Sequence, residues 1–169
     1  ALNNLGFELM INQKECMIDF FSNKQLDNTR IIDCDSSDSF LTWAIVACFI
    51  PGTTKIINIA NQNVKECKRI DVIYQHLVEA KVNIKMNGTD LEIIGNTAKN
   101  YLGIYVDCHN DHRIAMSFAL FGLMVPGVVL SDYTCVNKTF PSFWELVSDF
   151  GLLTNYCLLY TSPSPRDRG

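Results

Sequence analysis

The stretch Asn61-Gln62-Asn63-Val64-Lys65-Glu66-Cys67-Lys68-Arg69 decides how the chain is interpreted, because it joins a β-branched run to a segment of helical spacing. We predict a helix over residues 65–80. On that helix Lys65 and Arg69 lie four residues apart on one face, where two cations near a helix start can bind an anion. Glu66 points in another direction and could transfer a proton. The alternative is an ordinary solvated helix start of mixed charge.

Composition limits the function classes that the chain can serve. It has 169 residues, of which 48% are hydrophobic and 19% charged, which is enough to bury a core. A net charge of −4 argues against a general nucleic-acid surface, so any anion site must be a local cluster of Lys and Arg. We find neither an apolar stretch long enough to span a bilayer nor a signal peptide, and expect no membrane partner.

The seven cysteines are odd in number and scattered, without a C-x-x-C pair, which favours reduced thiols over disulfides or a zinc site. His109 and His112 lack a carboxylate or cysteine partner at a suitable spacing, so we predict no metal. The expected location is the cytoplasm, or the plastid in a photosynthetic eukaryote. The chain begins at Ala1 in the middle of a predicted fold, and we expect an N-terminal part to be missing.

Hydrophobic periodicity and turn residues predict an α/β fold with mixed strand pairing, built from repeated units of similar order. The clearest signal is a hairpin around Asn87-Gly88. The predicted strands cover residues 7–11, 16–20, 26–32, 53–59, 82–86, 91–94, 104–106 and 128–130. The predicted helices cover 39–50, 65–80, 112–124 and 141–150.

Three further junctions carry polar residues at predicted helix starts. Asp38, or Ser37, is the predicted N-cap of the helix over 39–50, and a carboxylate beside a lysine can also accept a proton from a hydroxyl. Asp111 is the predicted N-cap of the helix over 112–124, which leaves His112 and Arg113 at the positive end of that helix. Lys138 precedes the last helix. If these helices pack side by side, the junctions converge on one rim; capping residues and a surface lysine are the alternative.

Four motifs in order resemble those of the 5-enolpyruvylshikimate-3-phosphate synthase family: Asp38–Thr42, Ile59–Ile70, Asn110–Phe118 and Cys135–Pro141. The chain is similar in particular to the synthase part of the multifunctional shikimate-pathway polypeptide of fungi and some protists. The resemblance implies repeated βαβαββ units of the enolpyruvyl transferase fold, within one of two domains. It covers residues 1–155, a partial C-terminal domain. Residues 156–169 form a Ser/Pro/Arg-rich tail outside the family pattern, either adapter-derived or disordered.

The resemblance also implies an activity: transfer of the enolpyruvyl group of phosphoenolpyruvate to the 5-hydroxyl of shikimate 3-phosphate, with release of phosphate, on the way to chorismate and aromatic amino acids. No cofactor is implied. Asp38 matches the base near the hydroxyl, and Glu66 the acid that moves a proton on the methylene carbon. Asn61 and Lys65 match shikimate-phosphate contacts, and Lys65 also lies close to the reacting hydroxyl. The family's phosphoenolpyruvate contacts are matched by Arg69, Arg113 and Lys138, with His112 nearby.

Catalysis in this family needs a second, opposing domain, so we expect the chain alone to show no turnover. Two alternatives stay open. One is UDP-N-acetylglucosamine enolpyruvyl transferase, which shares the fold and the chemistry. The other is a non-catalytic, anion-binding remnant.

Overall fold

The computed structural model describes residues 7–11, 16–20, 29–35, 38–96 and 100–149. The predicted start of the third strand at 26–28, Ser37, Phe150 at the end of the last helix and the tail over 156–169 lie outside these ranges. The chain divides into two units, residues 1–101 and 102–169. Each unit is described by itself.

Unit 1 opens with an antiparallel hairpin of β1 (Phe7–Ile11) and β2 (Cys16–Phe20). A four-stranded sheet follows, with strands in the order β3-β4-β6-β5. Its elements are β3 (Thr29–Asp33), α1 (Phe40–Phe49), β4 (Gly52–Ile57), α2 (Arg69–Glu79), β5 (Asn83–Asn87) and β6 (Asp90–Gly95). This is one complete βαβαββ unit, as predicted.

Strand pairing in the sheet follows from the connections. β3 and β4 are parallel because α1 forms the crossover between them, whereas β5 and β6 are antiparallel because a two-residue turn joins them. Gly88 in that turn has φ +63°, a conformation that glycine adopts without a Cβ penalty. Ile32, Ile56 and Ile93 lie fully buried on the sheet, and Phe40, Leu41 and Ile45 of α1 are buried in the same core.

Unit 2 repeats the first part of this pattern. β7 (Tyr105–Val106) and β8 (Val129–Leu130) are parallel and are connected through α3 (His112–Met124), and α4 (Phe143–Asp149) follows. The observed bounds of α3 match the prediction. α4 begins two residues later than predicted. In the described ranges, no helix is both long and apolar enough to cross a membrane.

Two short 3-10 helices, which we did not predict, position the residues of interest. They cover Ala60–Val64, after β4, and Thr134–Lys138, after β8. Asn58 redirects the chain from β4 into the first of them, with φ +61°. Its side-chain nitrogen donates to Asp33 Oδ2 at 3.0 Å, and its backbone nitrogen to Asp90 Oδ1 at 3.2 Å. These two hydrogen bonds connect the carboxyl-terminal ends of β3 and β4 to the start of β6. In sheets with parallel strands, ligands bind at the carboxyl-terminal ends of the strands.

Candidate active site

Asp38 is not a helix cap, contrary to the prediction. The N-cap of α1 is Ser39, and its side chain makes no capping hydrogen bond. The Asp38 carboxylate instead lies 3.3 Å from Arg69 Nη1 and 3.7 Å from Lys65 Nζ. Residues from the chain between β3 and α1 and from the chain after β4 therefore meet in unit 1.

The stretch from 61 to 69 does not form the predicted helix start. α2 begins at Arg69, so Lys65 precedes the helix and does not share a helical face with Arg69. The two cations meet at Asp38 nonetheless, because the 3-10 helix and the turn after it fold back onto the start of α2. The sequence predicts that Glu66 lies beside the two cations but points in another direction; its Oε2 in fact faces Arg69, 2.5 Å from Nη2.

Arg69 is the centre of this cluster. Its side chain is only 1% exposed, whereas those of Asp38, Lys65 and Glu66 are 30%, 39% and 49% exposed. Burial of a cation is costly unless it is paired and hydrogen bonded, and here the two carboxylates satisfy that requirement. The cluster places two carboxylates that can move protons beside two cations that can hold an anion.

Neighbouring side-chain amides hold the loop in place. Asn63 Oδ1 accepts from the backbone nitrogen of Ile70 at 2.9 Å, and its nitrogen donates to Asp71 Oδ1 at 3.2 Å. Asn63 thus caps α2 through Ile70, seven residues further along the chain, while Lys68 at the N-cap position makes no side-chain cap. Asn61 is exposed and adjoins the buried Gln62.

In unit 2 the predicted cap is confirmed. Asp111 is the N-cap of α3, and its buried carboxylate accepts from the backbone nitrogen of Arg113 at 2.9 Å. His112 and Arg113 are half-buried in the first turn. Lys138 Nζ donates to Asn110 Oδ1 at 2.9 Å, so the two predicted motifs of this unit contact each other.

Local strain accompanies that contact. His109 and Asn110 both have positive φ, +49° and +57°, which is uncommon outside glycine and is best tolerated by residues such as Asn. Residues held in such conformations cluster at functional sites. The turn directs Asn110 to Lys138 and ends in the cap at Asp111.

Asp132 orders the second 3-10 helix, which ends at Lys138. Its Oδ1 accepts from the Thr134 hydroxyl and backbone nitrogen, both at 2.7 Å, and from the Cys135 backbone nitrogen at 3.3 Å. Burial works to raise the pKa of Asp132, but these hydrogen bonds and the charge of Lys138 outweigh it, so the pKa lies below its ordinary value.

Two thiols, of Cys108 and of Cys135 in this 3-10 helix, are buried. Burial raises the pKa of Cys108, and burial together with the charge of Asp132 raises the pKa of Cys135 to about 12. Both thiols therefore stay protonated at neutral pH, where only a thiolate is an effective nucleophile. Within the described ranges, no group of three or more His, Cys, Asp or Glu side chains could hold a metal ion.

Comparison with known proteins assigns the family. The family model of EPSP synthase (3-phosphoshikimate 1-carboxyvinyltransferase) matches residues 8–147. The chain belongs to the EPSP synthase family. It is 35% identical over 135 residues to the pentafunctional AROM polypeptide of Mycosarcoma maydis, covering 72% of this chain and 8% of that protein. It is 34% identical over 140 residues to the 3-phosphoshikimate 1-carboxyvinyltransferase of Pseudomonas syringae pv. tomato, covering 80% of this chain and 32% of that enzyme.

A solved structure agrees with the fold. The chain resembles an EPSP synthase from Acinetobacter baumannii with a TM-score of 0.71 and 24% identity, over 88% of this chain and 37% of that one. The chain thus spans about a third of the length of the bacterial synthases that it matches. The predicted α/β class and the repeated βαβαββ order are confirmed.

The structure brings together four of the five predicted site residues of unit 1, and the fifth, Asn61, is linked to Arg69 through Gln62. In unit 2 the predicted His112 and Arg113 lie in the first turn of α3, and Lys138 contacts Asn110 just before that helix. Sequence reasoning missed the structural roles of Gln62, Asn63 and Asn110. The signal that could have found the first two is the run of three side-chain amides just before a helix, since amides there often bond to free backbone groups. No comparable local signal marks the contact from Asn110 to Lys138.

Proposed function

We propose that the protein transfers the enolpyruvyl group of phosphoenolpyruvate to the 5-hydroxyl of shikimate 3-phosphate and releases phosphate. The chain supplies part of one domain, residues 1–155, and a second domain of the same polypeptide supplies the remaining contacts. Residues 156–169 lie outside that domain. The cluster of Asp38, Lys65, Glu66 and Arg69 is the observation that carries the proposal, because it combines proton-transfer groups with cations within 4 Å.

Each residue of the cluster has a proposed role. The oxygen of the 5-hydroxyl attacks C2 of phosphoenolpyruvate while Asp38 accepts the hydroxyl proton, and Lys65 stabilises the charge that develops there. Glu66 delivers a proton to the methylene carbon, which gives a tetrahedral ketal phosphate. The Glu66 carboxylate then takes a proton back from that carbon as phosphate leaves C2, which completes the transfer. Asn61 and Lys65 contact shikimate 3-phosphate.

The cations Arg69, Arg113 and Lys138 are proposed to hold phosphoenolpyruvate, with His112 nearby. Guanidinium groups suit this task because they bind carboxylate and phosphate through two parallel hydrogen bonds. Arg69 is already paired with Glu66, so the substrate anion must replace a carboxylate as the partner of this guanidinium. The free thiols described for five cysteines support a reducing compartment, and we place the enzyme in the cytoplasm, or in the plastid of a photosynthetic source.

The test is phosphate release by the complete enzyme supplied with both substrates. Wild type should release phosphate, and Lys65→Met should lower kcat by about a hundredfold or more because a charge at the reacting hydroxyl is lost. Lys68→Met, at an exposed neighbouring lysine, is the matched control and should retain activity. Release with UDP-N-acetylglucosamine instead of shikimate 3-phosphate would favour the sister enzyme. No release with either acceptor would favour the binding remnant. The 169-residue chain alone should release none.

A further inference from the structure

Gln62 is fully buried in a row of hydrogen-bonding side chains that starts at Arg69 and ends at the exposed Asn61. Arg69 Nη1 donates to Gln62 Oε1 at 3.4 Å. Gln62 Nε2 donates to Asn61 Oδ1 at 3.2 Å. A fully buried amide with both ends engaged is fixed in orientation, since turning it over would leave two polar groups without suitable partners.

Arginine sets the direction of this row. A guanidinium has donors and no acceptor, so the oxygen of Gln62 must face Arg69 and its NH2 group must face Asn61. The Asn61 oxygen then accepts, and the NH2 group of Asn61 is directed away from Gln62. We infer that Gln62 is a positioning residue that orients the Asn61 carboxamide with its NH2 group toward the ligand, and so selects a ligand oxygen that accepts a hydrogen bond.

A phosphate, carboxylate or sugar hydroxyl oxygen meets that requirement. The inference rests on the proposed function only for the identity of the ligand, shikimate 3-phosphate. It also explains why a glutamine, and not an apolar residue, occupies a fully buried position beside a charged cluster: an apolar side chain would fill the space but would leave Asn61 free to turn over.

Two substitutions separate this role from simple packing. In Gln62→Glu the side chain still accepts from Arg69 but cannot donate to Asn61, so Asn61 turns its NH2 group inward and presents its oxygen to the ligand. We expect the Kd of shikimate 3-phosphate for the complete enzyme to rise about tenfold to a hundredfold, which corresponds to a lost hydrogen bond to a charged group. Gln62→Met leaves Asn61 free to rotate, and its Kd should rise less.

A packing role predicts the opposite order, because glutamate matches glutamine in shape and forms an ion pair with Arg69, whereas methionine leaves the arginine without that acceptor. If Gln62→Met weakens binding more than Gln62→Glu, or if both variants bind as wild type does, the inference is wrong. The expected order would support it.

A second measurement needs neither variant nor substrate. In the ¹⁵N-labelled complete enzyme, the side-chain NH2 protons of Gln62 should exchange slowly with solvent because the residue is buried, and those of Asn61 rapidly. Slow exchange at Asn61 would mean that its NH2 group faces Gln62 and would overturn the inference. If the complete enzyme binds no shikimate 3-phosphate, the proposed function fails while this exchange order still decides the orientation. If the enzyme binds the ligand but the NH2 protons of Asn61 exchange slowly, only the inference fails.

Discussion

Replacing Arg69 by methionine tests whether this buried cation also stabilises unit 1. The variant keeps much of the side-chain volume but removes hydrogen bonds to three acceptors, on Asp38, Gln62 and Glu66. Removing one partner of a buried ion pair costs about 3–5 kcal/mol, because the other partner stays desolvated. Here Asp38 and Glu66 are 30% and 49% exposed and can regain water, so we expect a loss of about 2–3 kcal/mol in the free energy of unfolding.

The assay follows the unfolding of unit 1 alone. Trp43 lies in unit 1 and Trp144 in unit 2, so a Trp144→Phe background leaves the fluorescence of Trp43 as the probe. At about 4–8 °C per kcal/mol for a unit of this size, Arg69→Met should lower the midpoint of thermal unfolding by about 10–20 °C. Lys68→Met removes an exposed cation next to it and should change the unfolding free energy by less than about 0.5 kcal/mol. If Arg69→Met is as stable as Lys68→Met, the ion pairs are not stabilising and the reasoning fails.

Three further changes have definite expected outcomes. Gly95→Ala should lower the free energy of unfolding in urea by about 2 kcal/mol or more, because the new Cβ would overlap two backbone carbonyl oxygens at the end of α1. In Gly88→Ala the new Cβ meets no atoms within 4 Å, so only the positive φ should matter, at a cost of about 1 kcal/mol; equal costs would argue against the overlap. Asp132→Asn should lower the free energy of unfolding at neutral pH. Because the folded pKa of Asp132 lies below its ordinary value, the difference in unfolding free energy between variant and wild type should disappear as the pH falls through that pKa; a difference independent of pH would contradict the lowered pKa. Asn110→Gly keeps the positive φ accessible but removes the acceptor for Lys138, so it should raise the KM for phosphoenolpyruvate with little loss of stability. Asn110→Ala should be less stable than Asn110→Gly by about 1 kcal/mol, because alanine is strained at a positive φ; similar unfolding curves for the two variants would refute this.

The parts of the fold that the sequence predicts correctly are those with local signals. α3 has a carboxylate cap at Asp111 and a Pro126-Gly127 stop, and both of its ends match the prediction. The hairpin of β5 and β6 has alternating apolar residues around a glycine turn, and it too forms where expected. Caps and turns are set by neighbouring residues, so they can be inferred without the tertiary structure.

The predicted start of α2 is wrong, and the reason is physical. The spacing of apolar residues continues through 64–77, but the first helical turn needs partners for its free backbone N–H groups. Asn63 supplies one such partner to Ile70, which places the start at Arg69. The intervening residues are then free to form a turn, and this turn carries Lys65 and Glu66 back to Arg69.

The site was only partly predictable because its contacts join residues that are far apart in the sequence. The choice of residues came from motif resemblance, whereas the pairing of Arg69 with Asp38, 31 positions away, depends on how the ends of β3 and β4 lie next to each other. Periodicity predicts which faces are buried but not which side chains meet across the end of a sheet. The roles of Asp38, Glu66 and Lys65 in catalysis stay predictions until the kinetic test is done.

The cluster in unit 1 has a consequence for how an anion arrives. Two positive and two negative groups, each within 4 Å of a group of opposite charge, cancel at a distance, so their combined field fades over a few ångströms of solvent. In a chain of net charge −4, these residues cannot draw a phosphorylated substrate from afar. The encounter rate at this cluster should therefore change little with ionic strength, and the discrimination it provides acts only once ligand and protein touch.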